Sequence, residues 1–326
     1  MRRIFVLSSL LLSLQAYSQK SNDDFVHTFS IVARDSVTGQ MGIAVQSHFF
    51  SVGSAVSWAE AGVGAVATQA STNRAYGVEA LKLLKAGKSP EEIIKILTDA
   101  DSGRDGRQLA IIDSKGRCAS YTGSKCILSA GNIVGNNFSV QGNFLLNDTV
   151  LLAMSAAFTK TKGSLPERLL ASLDAGQLAG GDVRGKQSAA ILIVKAVSSG
   201  KLWEDREMDL RVEDHPEPIK ELKRLLNIFY AYQHLGAAKR SESTDMEMAN
   251  KEYALAENMY PENEEMKFWH AVALINNKNI KEALRLFEVV FAKEKKWAKL
   301  IPRLRESDKL KCSMATEQKI LALIGD

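Results

Sequence analysis

Three hydrophobic patterns follow one another along this chain. An unbroken apolar stretch opens it, short strand-like runs occupy the first two thirds, and the last third repeats its apolar residues every three or four positions. The opening stretch, residues 4–14, is apolar apart from serines, follows Arg2 and Arg3, and leads to small residues at Ala16 and Ser18. That is the composition of a secretory signal peptide over residues 1–18, and it is shorter than the roughly 20 residues a membrane span needs. No later stretch is long and apolar enough either. The expected product is exported, periplasmic or extracellular, with no transmembrane segment in the mature chain.

Residues 29–34, 42–46, 62–68, 108–113 and 189–194 read as strands separated by Gly, Asp and Ser turn signals. Asp35-Ser36-Val37-Thr38-Gly39-Gln40 joins two of them as a hairpin, with Gly39 suited to positive φ, and Asp113-Ser114-Lys115-Gly116-Arg117 makes a second. Residues 77–100 carry helical spacing, and Ser89-Pro90-Glu91-Glu92 places a cap and a proline at a helix start. Residues 148–158 and 165–175 also read as helices. After residue 210 the strand signals vanish. The order of elements predicts an α+β fold in layers, antiparallel sheets flanked by helices.

The tail has a period of its own. Ala249, Tyr253, Ala256 and Pro261 are followed 34 residues later by Ala283, Phe287, Val290 and Lys295, the small-then-aromatic placement of tetratricopeptide repeats. Residues 237–245 read as an insertion in the first unit. A tail of this kind, over residues 216–326, presents a concave face to a protein partner; a plain helical bundle is the alternative. Trp269, Phe291 and Trp297 are assigned to its core.

Composition narrows the partners. With 45% hydrophobic residues and a formal net charge of +4 over 326 residues, the chain lacks the concentrated basic face that nucleic acid demands. The lysines and arginines between 293 and 305 are flanked by acids and read as a solvated helix face, with membrane-surface contact as the alternative. The five histidines are scattered, so no metal site and no cofactor is expected. Of three cysteines, Cys118 and Cys126 bracket a turn and form either a disulfide or two small buried side chains.

Four segments carry a resemblance. Thr28-Phe29-Ser30-Ile31-Val32-Ala33-Arg34-Asp35, Gly64-Ala65-Val66-Ala67-Thr68-Gln69-Ala70, Gln141-Gly142-Asn143 and Gly180-Gly181-Asp182-Val183-Arg184-Gly185-Lys186-Gln187-Ser188-Ala189 resemble the bacterial family called domain of unknown function 1028, over about residues 27–215. That family is in turn similar to the amino-terminal-nucleophile hydrolases. The resemblance implies a four-layer αββα sandwich of two antiparallel sheets between helix pairs over residues 28–215, followed by the tetratricopeptide-like tail. It places Thr28 as nucleophile at the start of the first strand, with Ser30 on the same face, backbone amides of residues 62–70 as oxyanion donors, and Ser188 with Asp182 beside the terminal amine. The lysine that proteasome subunits keep near the nucleophile has no counterpart here.

A Thr at a chain's own terminus uses its α-amino group as base, which requires a cut after His27. The stub at residues 19–27 is therefore either a propeptide to be removed or a leader that persists. Thr68, Gln69, Asn73, Gln141, Asn143, Asp182, Arg184 and Gln187 are more polar groups than an apolar strand end needs, and they are the expected ligand-binding set. Asp182 with Arg184 would clamp a ligand carboxylate or amide, or pair internally; Gln141-Gly142-Asn143 would contribute to the site or close a tight turn. Two functions follow as expectations: an exported hydrolase of small-molecule or peptide amides, and a non-catalytic binding protein on the same scaffold.

Overall fold

The computed structural model describes residues 24–26 and 28–324; the expected signal peptide lies outside them. In chain order the first elements are β1 (Asp24–Val26), β2 (Thr28–Arg34), β3 (Met41–Ser47), α1 (Val52–Val56), β4 (Ser57–Glu60), β5 (Gly64–Thr72), α2 (Ala75–Lys85) and α3 (Pro90–Asp99). β6 (Arg107–Asp113), β7 (Cys118–Thr122), β8 (Gly131–Gly135), β9 (Phe138–Gly142), α4 (Thr149–Lys160), α5 (Leu165–Leu178), β10 (Ser188–Val194), α6 (Leu202–Asp205) and β11 (Arg206–Val212) follow. The helical tail comprises α7 (Pro218–Ser241), α8 (Met246–Met259), α9 (Glu264–Asn276), α10 (Ile280–Lys293), α11 (Leu300–Glu306) and α12 (Met314–Leu321).

Two antiparallel sheets form. One runs β1-β5-β6-β7 with β4 also on β5, and the other runs β11-β10-β3-β2-β9-β8. They face each other through a core that includes Val32, Ile43, Val45, Ala65, Ala67, Ala110, Ile112 and Leu192. α2 and α3 cover the outer face of the first sheet through Tyr76, Ala80, Leu84 and Ile93. α4, α5 and the start of α7 cover the second through Phe29, Ile31, Met154, Leu173 and Leu222. Because both faces of β2, β3 and β10 are covered, these strands read as near-continuous apolar runs instead of alternating ones.

Local chemistry accounts for the turns. The Asp35 carboxylate accepts the N–H groups of Val37 (2.9 Å) and Thr38 (2.7 Å), and Gly39 takes φ of +74°, closing the β2–β3 hairpin as expected. Asp113 accepts from Lys115 and Arg117 in the β6–β7 turn. Ser89 and Glu92 form a reciprocal capping box on α3. The helical pattern over 77–100 is two helices, because Gly87, at φ of +82°, ends the first with a left-handed turn.

Several expectations change. β11 is a strand where the sequence signal was fading: its charged residues alternate with Met208, Leu210 and Val212 because only one face meets the helix layer. Gln141 and Gly142 end a strand instead of closing a tight turn, Gln141 lying opposite Ser30. Of the stub, Asp24–Val26 are a strand on β5. Of the two readings left open for Cys118 and Cys126, the unpaired one holds: all three cysteines are free thiols, and burial raises the pKa of Cys126.

In the tail, the 34-residue spacing places Ala249, Tyr253 and Ala256 on α8 and Ala283, Phe287 and Val290 on α10, all fully buried. Residues 237–245 are not an insertion. They are the end of α7 and the turn into α8, equal in length to residues 271–279 before α10. α7 packs its first half, with Ile219, Leu222 and Leu226, on the second sheet. Its second half, with Ala231, Leu235 and Ala238, packs against α8 and α9. The Phe268 ring lies 4.8 Å from that of Trp297, tilted by 38°. The basic stretch is partly neutralised: Lys293 pairs with Glu264 at 2.5 Å, Lys296 with Glu294 at 2.9 Å, and Arg305 with Glu317.

Candidate functional site

Pairing register brings the candidate residues to one end of the space between the sheets. Side chains alternate across a strand, so Thr28 and Ser30 face that space while Phe29 and Ile31 face the helices. Thr28 is the partner of Ser47, and Ser47 of Ser188, across β2, β3 and β10. The Thr28 hydroxyl donates to Ser47 Oγ at 3.2 Å. Its carbonyl accepts the Asn143 N–H at 3.0 Å and Gln69 Nε2 at 3.3 Å.

Beside it lies a buried amide and hydroxyl network. Ser30 Oγ donates to Gln69 Oε1 and accepts from Gln141 Nε2, both at 2.6 Å. Gln69 Nε2 also donates to Gln108 Oε1 at 2.7 Å, and Asn143 Nδ2 reaches the same oxygen at 2.8 Å. Gln108 Nε2 is shared among Thr122 Oγ1 and the carbonyls of Gly131 and Gly142, at 2.8–3.1 Å. Thr28, Ser30, Ser47, Gln69, Gln108, Gln141 and Asn143 are all fully buried. The hydrogen bonds just described join hydroxyls, amides and carbonyls. The arrangement orients a hydroxyl and supplies neutral donors.

The other expected residues divide. Thr68 faces away from Thr28, toward α2, because it neighbours the inward Gln69; its hydroxyl donates to the Asn73 carbonyl at 3.2 Å. Asn73 Oδ1 accepts the Ala75 N–H and shapes the start of α2. Ser188 donates to the Phe49 carbonyl at 2.5 Å and accepts from Val52 N–H at 3.1 Å. Its hydroxyl thus fixes the 49–52 turn, with Ser51 in left-handed backbone at φ of 56°, and is not hydrogen-bonded to Thr28. Asp182 is committed internally. It takes the His48 N–H at 3.1 Å and the backbone and guanidinium of Arg184 at 2.7–3.1 Å, and Arg184 lies over the Phe144 ring at 5.5 Å. Gln187 bonds Asp214 at 3.2 Å, while its N–H bonds the Ser47 carbonyl.

Residues 62–70 do not form a row of free amides. β4 and β6 occupy both edges of β5 over Gly64 to Ala67, so those N–H groups are held in ladders. Sequence reasoning missed Ser47 and Gln108. Gln108 carries a legible signal: it is the polar member of the inward series Gln108, Ala110, Ile112 on a strand otherwise apolar on that face.

Comparison with known proteins follows the same segments. The profile described as "Family of unknown function (DUF1028)" matches residues 28–222. The crystal structure of protein SPO2555 from Silicibacter pomeroyi, itself assigned to that family, is similar at a TM-score of 0.56 and 33% identity, covering 68% of this chain and 88% of that chain. No curated protein matches.

Proposed function

The chain belongs to the family of unknown function DUF1028, and from that membership and the surroundings of Thr28 we propose an exported amide hydrolase of the amino-terminal-nucleophile type. The observation that carries this reading is the buried Thr28 hydroxyl at the start of β2, bonded to Ser47 beside a cluster of amides and hydroxyls. In this reading the base for that hydroxyl is its own α-amine, once freed. The facing antiparallel sheets between helix layers support the four-layer sandwich of that superfamily, and the 34-residue pairs support a tetratricopeptide-like tail that docks a protein partner.

A cut between residues 27 and 28 frees an amine with a pKa near ~8. The amine takes the Oγ1 proton as Oγ1 attacks the substrate carbonyl carbon. The tetrahedral oxyanion collapses, the C–N bond breaks, and the departing amine takes the proton. Water then attacks the ester, with the same amine as base, and releases the acid and Thr28. Gln69 Nε2 spends both of its N–H groups on the Thr28 carbonyl and Gln108 Oε1, whereas Gln141 Nε2 donates to the Ser30 hydroxyl and keeps a second N–H as a candidate oxyanion donor.

The second reading, a ligand-binding scaffold, is favoured by one fact: the site amides already satisfy one another around Gln108. Intact mass of the exported protein together with amidase assays of Thr28→Ala separates the two. The hydrolase reading expects a chain starting at Thr28, loss of turnover by at least 10³-fold in Thr28→Ala on the scale of a lost nucleophile, and partial retention in Thr28→Ser. A chain that keeps its stub, or a fully active Thr28→Ala, leaves the binding scaffold.

A further inference from the structure

We propose that the β5 edge at residues 70–72 is the subsite for the acyl side of the substrate, and that the substrate is an extended peptide that adds to β5 in the place β1 holds. The inference rests on the hydrolase reading above. β5 has two edges. β6 occupies one from Gly64 to Ala70. On the other, β4 covers Gly64 to Ala67 and β1 covers Ala70 to Thr72, so β4 and β1 follow one another along a single edge. Ala70, at φ of 67°, is where the β6 pairing stops. Beyond it, among the described residues, Ser71 and Thr72 have β1 as their ladder partner, with the Ser71 carbonyl also held by the Arg107 guanidinium at 2.5 Å.

The position of β1 along the chain gives this pairing its meaning. Val26 stands two residues before Thr28, so the chain passes from one sheet to the other across residue 27, which lies outside the described residues. Self-cleavage before Thr28 and cleavage of a substrate set a carbonyl carbon against the same hydroxyl. The residues preceding that carbonyl therefore leave it in the same direction in both reactions, and β1 marks that direction: antiparallel along β5. The pairing uses main-chain groups, which any peptide carries, so affinity comes from strand addition and side chains only modulate it. While covalently attached, β1 occupies the edge at high effective concentration. Once cut, a three-residue strand loses that advantage and an incoming peptide displaces it. The stub is then both the first substrate and the occupant that keeps others out.

The test uses the full chain with Thr28→Ala, so that nothing is cut, with and without Phe25→Pro and Val26→Pro, which remove two backbone donors of β1. The probe is the end-blocked hexapeptide of residues 22–27, compared with the same peptide N-methylated at its Phe and Val amides. The proline variant is expected to bind the plain peptide at least tenfold more tightly than the N-methylated one, with slowed amide exchange at Ser71 and Thr72, and the parent is expected to bind at least tenfold more weakly than the variant. A folded variant that binds both peptides equally, or neither, overturns the proposal. If the proline variant does not fold, the pair Phe25→Cys and Ser71→Cys, at partnered positions, is made in a chain with Thr28 intact. Peptide turnover at least tenfold lower in the oxidised form and restored by dithiothreitol is expected, and undiminished turnover on oxidation refutes the subsite. Amide hydrolysis indifferent to N-methylation keeps the Thr28 chemistry and removes this subsite. Main-chain-dependent binding with no amide hydrolysis in any form keeps the subsite and removes the hydrolase.

Discussion

Arg107 and Gln108 follow one another on β6 and face opposite ways, and each is the centre of a buried polar cluster. On the outer face, Arg107 pairs with Asp101 at 2.8 Å, and Asp101 also accepts from Tyr76 at 2.8 Å and from the Gly103 N–H at 2.7 Å. On the inner face, Gln108 joins Gln69 and Asn143 without a charge. Burial opposes the Asp101 charge, but the Arg107, Gly103 and Tyr76 hydrogen bonds outweigh it and hold the carboxyl at about 2. The Tyr76 hydroxyl is pushed up by burial and by that carboxylate. One strand thus satisfies its polar groups by charge on one side and by neutral amides on the other, and only the first solution is sensitive to pH.

Substitution tests this contrast directly. Arg107→Leu strands the Asp101 carboxylate and is expected to lower stability by about 4 kcal/mol at pH 7, with a smaller loss near pH 3, where the stranded carboxyl takes a proton; urea unfolding at both pH values measures it. Gln108→Ala removes the acceptor of the Gln69 and Asn143 side-chain amides and a donor to the Gly142 carbonyl, an expected loss of about 3 kcal/mol, and the same denaturation series from pH 4 to 9 should find that loss constant. A pH-dependent Gln108→Ala effect would break the comparison. Asp101→Asn removes a group whose folded pKa is depressed. Its stabilisation is present above the unfolded value near ~3.9 and is lost as pH falls through about 2, so the variant should be weaker by roughly 2 kcal/mol at pH 7 and converge with the parent below pH 2 in acid-unfolding curves. Thr68→Val, on the outer face with one 3.2 Å bond, should cost about 0.5–1 kcal/mol in thermal unfolding and leave amide turnover unchanged.

What the sequence could show depended on whether the information was local. Asp35 to Gly39, Asp113 to Gly116 and Ser89 to Glu92 specify their own turns and cap, and each forms as read. Thr28, Ser30, Gln69, Gln141 and Asn143 were expected at one end and meet there. Thr68 and Asn73 were grouped with them through neighbourhood in the chain, although alternation sends Thr68 to the opposite face from Gln69. Ser47 and Gln108 were missed because their roles come from cross-strand register, Thr28 against Ser47 and Gln69 against Gln108, and register joins residues 19 and 39 positions apart. For Arg184 the sequence left a ligand clamp and an internal pair open, and it pairs with Asp182, while Gln187, read as a ligand donor, bonds Asp214; both partners are acids of this same chain.

The long helix α7 has a mechanical consequence. At 24 residues it is a rod of about 36 Å, with one end bedded against β10 and β11 and the other clamped among the paired helices of the tail. A rod anchored in two places transmits torque. Whatever grips the tail therefore bears on the outer strands of the sheet that carries Thr28, and loosening either bed removes buried surface from the helix that supports the other, so sandwich and tail share their fate on heating as parts of one frame.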